Sequence, residues 1–291
     1  MKERLACKKG MFYTGVYIFF LCIFTPYTSF SQPLSAPTET ADYKNISAHI
    51  ETGFISVLRH RIQFGEEGTL FDYRQAGGQD VLFPTLRFSL DWHISDRHTL
   101  LFLYQPLTIE TVVRLDEDLL VDTIQFAQNS SVKLLYNFPF YRVSYLYDFL
   151  QTPLSQFALG ASLQIRNATI TFRGSQGDPF FASRDVGLVP AVKIRAYHYL
   201  GAGFWVGAEA DGVYAPIRYL NLSDQDITGA ILDASLRGGV MVSSDKTVWL
   251  NLRYLGGGAQ GTVEDDPEVS DGFTKNWLNT LFVTLGFTVR L

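Results

Sequence analysis

Residues 203–216, GFWVGAEADGVYAP, set two carboxylates, Glu209 and Asp211, into a run that otherwise reads as an apolar strand. Side chains two apart in a strand share a face, so this pair points one way while Phe204, Val206, Ala208 and Ala210 point the other. The role of the pair is decided by which face of the sheet is enclosed. The same two-faced pattern runs through the chain. In VLFPTLRFSLDWH (81–93), Leu82, Pro84, Leu86, Phe88, Leu90 and Trp92 oppose Arg87, Ser89, Asp91 and His93. In 157–168, Phe157, Leu159, Ala161, Leu163 and Ile165 oppose Gly160, Ser162, Gln164 and Arg166. In 226–242, Ala230, Leu232, Ala234, Leu236 and Val240 oppose Asp233, Ser235 and Arg237. The final run, 279–291, sets Leu281, Val283, Leu285, Phe287, Val289 and Leu291 against Thr280, Thr284, Thr288 and Arg290.

Alternation of this kind predicts strands, and no helical period competes with it. About ten strands are expected, near 45–60, 80–93, 98–113, 131–150, 156–173, 185–199, 203–216, 228–243, 246–258 and 277–291. Their connectors alternate in length. SDRH (95–98), QTPLSQ (151–156), the stretch 199–203 and SSDK (243–246) are tight, whereas 59–79, 114–129 and 256–275 are long. Short turns at one end, long loops at the other and an even strand number describe an all-β, up-and-down antiparallel barrel of the transmembrane class. Strands longer than the ~5–6 residues of soluble sheets favour that class over a soluble sandwich or lipocalin-like barrel, because a tilted membrane strand needs ~9–11. Aromatics near the strand ends point the same way: Trp92, Phe149, Phe157, Tyr199, Phe204 and Trp249 by the short turns, and Tyr214, Tyr219, Tyr254 and Trp277 toward the long loops.

The first residues supply a compartment. MKERLACKKG carries four cations, MFYTGVYIFFLCIF is mostly apolar, and TPYTSFS ends in small residues, which is the order of a secretory signal cleaved after Ser31. The expected domains are a signal peptide at 1–31, a polar periplasmic leader at 32–44 and a barrel at 45–291. Both cysteines, Cys7 and Cys22, fall in the first segment, so the barrel is expected to hold by its sheet and interior rather than by disulfides. Without Lys2, Arg4, Lys8, Lys9 and Glu3, 20 basic residues face 28 acidic ones. That balance argues against nucleic acid as a partner, since phosphate binding needs a basic face.

The stretches RHTLLFLYQPL (97–107), YRVSYLYDFL (141–150), LGASLQIRNATI (159–170) and GAEADGVYAP (207–216) resemble a family of uncharacterised outer-membrane β-barrel proteins from Gram-negative bacteria. The likeness extends in the same order over most of the chain from residue 45 onward. It implies a fold and a place, the cell outer membrane, with outer-membrane lipid, lipopolysaccharide and the barrel-assembly machinery as partners, and it implies no activity. Leu291 departs from the aromatic that usually ends such barrels.

In a closed barrel Glu209 and Asp211 face the interior. The turn at 199–203 places Lys193 about opposite Glu209, with Arg195 diagonal. Arg142, Arg166, Lys193, Arg195, Glu209, Asp211, Asp233, Arg237 and Arg253 are therefore expected to form an interior ion-pair network, with Arg87 and Asp91 on the same face. Buried charges persist only when paired, so such a network is first a requirement of a narrow lumen. Two carboxylates ~7 Å apart also suit glycoside chemistry, but that chemistry needs an open cleft rather than facing cations. His49, His60, His93, His98 and His198 lack same-face ligand spacing, so no metal or cofactor is expected and each reads as an interfacial or turn histidine. A lipid A deacylase would need a serine and histidine together on the outer wall, where His93 and Ser95 fall in a turn; an omptin-like protease would need an acidic pair and a His–Asp pair at the extracellular rim, where His60 with Asp72 and Asp80 in the following loop is too little for a site. The loop acids Asp116, Glu117, Asp118 and Asp122, and Glu264, Asp265, Asp266, Glu268 and Asp271, lack calcium-loop spacing and read as solvated. The function expected is a non-enzymatic envelope protein, structural or surface-interacting, with a polar and largely filled lumen. The alternatives are a narrow channel for small solutes and a hydrolase of lipid A or peptides.

Overall fold

The computed structural model describes residues 46–216, 227–262 and 271–291. The segments read as signal peptide (1–31) and leader (32–44), Tyr219, and the acids Glu264, Asp265, Asp266 and Glu268 lie outside the described residues. The described chain is built of strands: β1 (Ile46–Phe64), β2 (Phe71–Asp72), β3 (Leu82–Ser95), β4 (His98–Gln105), β5 (Thr108–Arg114), β6 (Leu119–Val121), β7 (Ile124–Phe126), β8 (Ser131–Asn137), β9 (Phe140–Gln151), β10 (Ser155–Gly174), β11 (Phe180–Gly201), β12 (Phe204–Pro216), β13 (Thr228–Met241), β14 (Lys246–Thr262) and β15 (Phe273–Arg290). Ten of them, β1, β3, β4, β9, β10, β11, β12, β13, β14 and β15, follow one another around a closed antiparallel ladder in which β15 returns to β1, from Ser47↔Arg290 to Phe64↔Thr274.

The ten strands expected from alternation are these ten. Two of them are broken once: β4 continues as β5 after Pro106–Leu107, and β8 continues as β9 after Phe138–Pro139. Proline lacks the N–H that an interior strand must donate, so a pair of prolines at neighbouring positions of the ladder bends both strands there. The β5–β8 hairpin then rises beyond the ring, still pairing with the upper part of β10.

The outer wall is apolar over a belt. Phe54, Leu82, Leu236, Leu250 and Val283 are all more than half exposed on it, an arrangement that water does not tolerate over so large an area but lipid does. Above the belt the outward residues turn polar: Arg59 and Arg61 on β1, Asn279 and Lys275 on β15, and the Lys133–Glu110 pair at 2.8 Å on the raised hairpin. The 22 residues of β11 extend about 70 Å at ~3.3 Å each, and even tilted they overreach a ~30 Å hydrocarbon layer.

The expected polar interior is found only in the half nearer the short turns. The other half is filled by apolar side chains. Ile55, Val57, Ile62, Phe64, Phe140, Ile170, Phe172, Leu278 and Phe282 point in from the wall, and the long loops fold down onto them with Phe71, Tyr73, Leu115 and the β6–β7 hairpin. Thr69 and Leu120 exchange hydrogen bonds of 2.8 and 3.0 Å that tie the two loops together. The reason is length: strands that continue above the membrane enclose volume that needs filling, and an apolar cluster fills it without a charge to balance.

Trp249 corrects one expectation. It is not in an outer girdle but 3% exposed inside the lumen, with its indole N–H donated to Thr288 Oγ1 at 3.0 Å. It faces inward because parity on β14 places it with Asn251 and Arg253, and its ring lies over the backbone of Gly286 on β15. A methyl group at 286 would occupy the space of that ring. Gly286→Ala is therefore expected to destabilise the barrel by about 1–3 kcal/mol through overpacking, read as a lower temperature for losing the compact band on an unboiled gel; an unchanged transition would show that Trp249 packs elsewhere.

Candidate functional site

The lower lumen is lined by charged side chains from β1, β3, β9, β11, β12, β13 and β14. Lys193 on β11 reaches Asp211 at 2.9 Å and contacts Glu209 as well. Arg142 on β9 stands 2.8 Å from Asp211 and 2.9 Å from Asp233, and its guanidinium also donates to Gln164 Oε1 at 2.6 and 3.1 Å. Arg253 grips Asp233 through two nitrogens at 2.5 and 2.9 Å and gives a third bond to Gln105 at 2.6 Å. Arg237 lies 3.3 Å from Glu209, with its guanidinium carbon 4.9 Å over the Trp249 ring. Most of these groups are fully buried, Lys193 at 0% and Arg253 at 1% exposure. Two-point guanidinium contacts of this kind hold geometry as well as charge.

Seven of the nine residues singled out from the sequence therefore lie in one connected set, and an eighth, Arg195, is buried beside it. The register of the 199–203 turn differs from the reading by one step: Arg195 stands opposite Glu209 and Lys193 opposite Asp211, because the hairpin carries an irregularity between Tyr199 and Gly201. Lys193 still bridges both acids, whereas Arg195 crosses the lumen to Asp91 on β3 at 2.8 Å. Arg166 is the ninth and lies apart, higher on β10, in an ion pair with Asp185.

The sequence reading missed the residue that knits the opposite wall. Glu51 on β1 receives Arg87 at 2.8 Å, Asn251 at 2.8 Å and Thr284 at 3.0 Å. Its strand gives a poor signal, since Ile55 and Val57 share its face and blur the alternation. Ser144 and Ser162 join the network through a 2.8 Å bond, and Ser162 donates to Asp211. A cavity of about 10 Å³ remains among His49, Arg87, Asp91, Tyr197, Glu209 and Arg237, room for one water at most.

The histidines are placed by this architecture. His49 and His93 face the lumen, His49 at 2.8 Å from Thr288 and His93 at 3.1 Å from Thr99. His60 is not a rim residue: it is completely buried in the apolar half, stacked on Tyr73 with ring centres 4.4 Å apart and bonded to Gln79 at 2.8 Å. Asp72 is turned away to Arg61 at 3.0 Å, and Asp80 is exposed, so neither loop acid joins His60, in keeping with the reading that they make no site. His60 stands above the belt, between the outward Arg59 and Arg61, and burial pushes its pKa down to about 4 against the Gln79 bond.

On the outer wall near a short turn, His198 Nδ1 lies 2.8 Å from Ser155 Oγ. This is the serine–histidine proximity that His93 and Ser95 do not provide, and it was hidden by 43 residues of separation. Among the described residues no carboxylate stands within ion-pair distance of His198 to orient it, as a nucleophile–base pair requires. Among the described residues no group of three or more acids, histidines and cysteines is placed to hold a metal ion.

The closed ladder, apolar belt and charged lumen define a ten-strand antiparallel barrel of the transmembrane type. No family model and no curated protein matches the sequence. Among solved structures, the chain is similar to the outer membrane protease OmpT from Escherichia coli, at 14% identity over 88% of this chain and 100% of that one, TM-score 0.45. It is also similar to the toluene transporter TodX of Pseudomonas putida (8% identity, 85% and 90% covered, TM-score 0.32) and to Ail, the attachment invasion locus protein of Yersinia pestis (8%, 84% and 99%, TM-score 0.32). These are outer-membrane barrel proteins of different activities.

Two outcomes test the interior. Asp233→Ala leaves Arg253 and Arg142 each short of a carboxylate and should cost about 3–5 kcal/mol, seen as a fall in the urea concentration that unfolds the reconstituted barrel; an unaltered midpoint would mean that these contacts contribute nothing. For His60 the folded state binds its proton less readily than the unfolded state, so stability is full above pH ~6.5 and declines as pH falls toward about 4, by roughly 3 kcal/mol. His60→Phe should flatten that part of the profile, and an identical slope in both proteins would assign it to other groups.

Proposed function

We propose that this chain is an outer-membrane protein of the Gram-negative envelope whose barrel is sealed and non-enzymatic, serving as a structural or surface-interacting element rather than as a channel. The observation that carries the reading is the filled interior. Ion pairs and their hydrogen-bonding neighbours close the half nearer the short turns, and the long loops pack an apolar plug into the other half. The apolar belt supports a membrane location, and the charged, apolar and small-residue order of the first 31 residues supports export. On this reading the short turns face the periplasm and the long loops face the outside, as in bacterial barrels generally. Lipid and lipopolysaccharide surround the belt, the assembly machinery of the outer membrane inserts it, and the raised β5–β8 hairpin and loop surface are what it presents outward. A hydrolytic role is the lesser reading, because the Ser155–His198 pair sits at the short-turn end.

Conductance separates a sealed barrel from a narrow channel. The purified protein in a planar bilayer should show no unitary current steps at moderate voltage, and Arg142→Ala, which removes a buried cation from the middle of the ion-paired half, should be the first variant to leak. Stable steps from the unaltered protein would overturn the sealed reading.

A further inference from the structure

β11 and β12 part company within the belt. Their ladder runs from the turn to Val192↔Gly212 and stops there, although β11 continues upward in register with β10 and β12 continues to Pro216 in register with β13. Residues 188–191 and 213–216 would be the next four rungs, and none of them forms. Pro190 explains the break. Tyr199 donates its N–H to Leu154 on the β10 side, and since backbone groups alternate sides along an antiparallel strand, the backbone of Pro190 faces β12. Its missing donor falls on the edge where the ladder fails.

The split leads inward. Gly187, Val189 and Ala191 on β11, Val213 on β12 and Ile231 on β13 point into the barrel, yet all are partly exposed, whereas interior residues behind the closed wall, such as Ile170, Phe172, Leu255 and Leu278, are buried. Ile231 and Phe181 on either side of the split pack against the apolar plug. Outside, Leu188 and Val192 are 57% and 60% exposed. Apolar residues therefore line the unpaired stretch on both faces of the wall, Leu188 and Val192 toward the belt and Val189, Ala191, Val213 and Ile231 toward the plug. The stretch is bounded above by the Arg166–Asp185 pair and below by the buried Lys193–Asp211 pair. Four missing rungs leave an unpaired stretch roughly 13 Å long. Beneath it, a recess of about 360 Å³ on the outer wall, lined by Ile194, Ala196, Ala208 and Ala210 among others, reaches to within one side-chain repeat of the last rung.

We propose that the β11–β12 split is a lateral binding site for an acyl chain of the surrounding membrane lipid, which lies in the alanine-lined recess and enters the wall against Val189, Ala191, Val213 and Ile231. This rests on the membrane reading above. The occupant is a hydrocarbon chain because the unpaired stretch is apolar on both faces, because the two polar pairs bound it, and because lipid is what the belt faces at that height. Ion pairing keeps Arg166 and Asp185 at the upper lip, so the head of the lipid stays outside.

The test uses the full chain with Cys7 and Cys22 replaced by alanine and one cysteine introduced at a time: Val189→Cys, Ala191→Cys, the lipid-facing Val192→Cys, and Thr288→Cys, which faces the lumen where the ladder is closed on both sides. Each is labelled with bimane, its folding is checked by gel mobility without boiling, and it is reconstituted in phosphatidylcholine vesicles whose chains carry bromine at several depths. Bromine quenches on contact, so the Val192 label should lose emission, the Thr288 label should not, and the Val189 and Ala191 labels should follow Val192. If either folded inner label follows Thr288 instead while Val192 is quenched, the wall is closed to lipid and the proposal fails. If Val192 is not quenched, the membrane reading itself fails and the site with it. Two inner positions are used so that one misfolded variant leaves the other to decide.

Discussion

Charge inside a narrow tube is the constraint from which the rest of this structure follows. Arg87, Arg142, Lys193, Arg195, Arg237 and Arg253 share the lumen with Glu51, Asp91, Glu209, Asp211 and Asp233. An unpaired ion in such a place costs several kcal/mol, so each must find its counter-ion across or along the wall. That requirement fixes the parity of the strands that carry them: a slip of one residue would turn the ions into the belt and the belt into the lumen. The apolar exterior and the ionic interior are therefore one specification, made residue by residue.

The interior changes character part of the way up the strands. Arg253 marks the border, bonded to Asp233 on one side and with its guanidinium carbon 4.7 Å from the Phe282 ring on the other. Below that level polar groups fill the space by neutralising one another; above it, side chains such as Phe140, Phe172 and Tyr73 fill it by packing. The two fillings restrain the protein differently. The ionic half gains specificity of register, whereas the apolar half gains stability from excluded water and binds two long loops to the wall.

The fold was legible because alternation survives in most strands. Runs such as 157–168 and 279–291 show both faces at once, and the spacing of the turns gives the closure. The ionic set was legible for the same reason, since parity alone puts Asp233, Arg237 and Arg253 on one side. Partners across the lumen were not. Arg195 meets Asp91 over a separation of 104 residues, which depends on the curvature of the closed ring rather than on any hairpin. Glu51 was masked by apolar neighbours on its own face, and His60 was misplaced because it was read in the connector 59–79, whereas β1 runs on through it to Phe64 and turns it inward. The parting of β11 and β12 had a local signal in Pro190, but its meaning required knowing which neighbour its backbone faces.

The joining of β1 to β15 has a consequence for how the molecule comes into being. Arg87 on the neighbouring β3 neutralises Glu51 locally, but its remaining hydrogen bonds come from Asn251 and Thr284, 200 and 233 positions further along, so the earliest strand waits for the latest before its carboxylate is fully bonded. Pairs between neighbouring strands form within each hairpin, whereas Arg195 and Asp91 are separated by 104 residues and by the width of the lumen. The pairs that span the ring, Arg195 with Asp91 and Arg142 with Asp211, form only when the sheet has curved far enough to bring their strands together, so closing the circle and pairing these ions are one step.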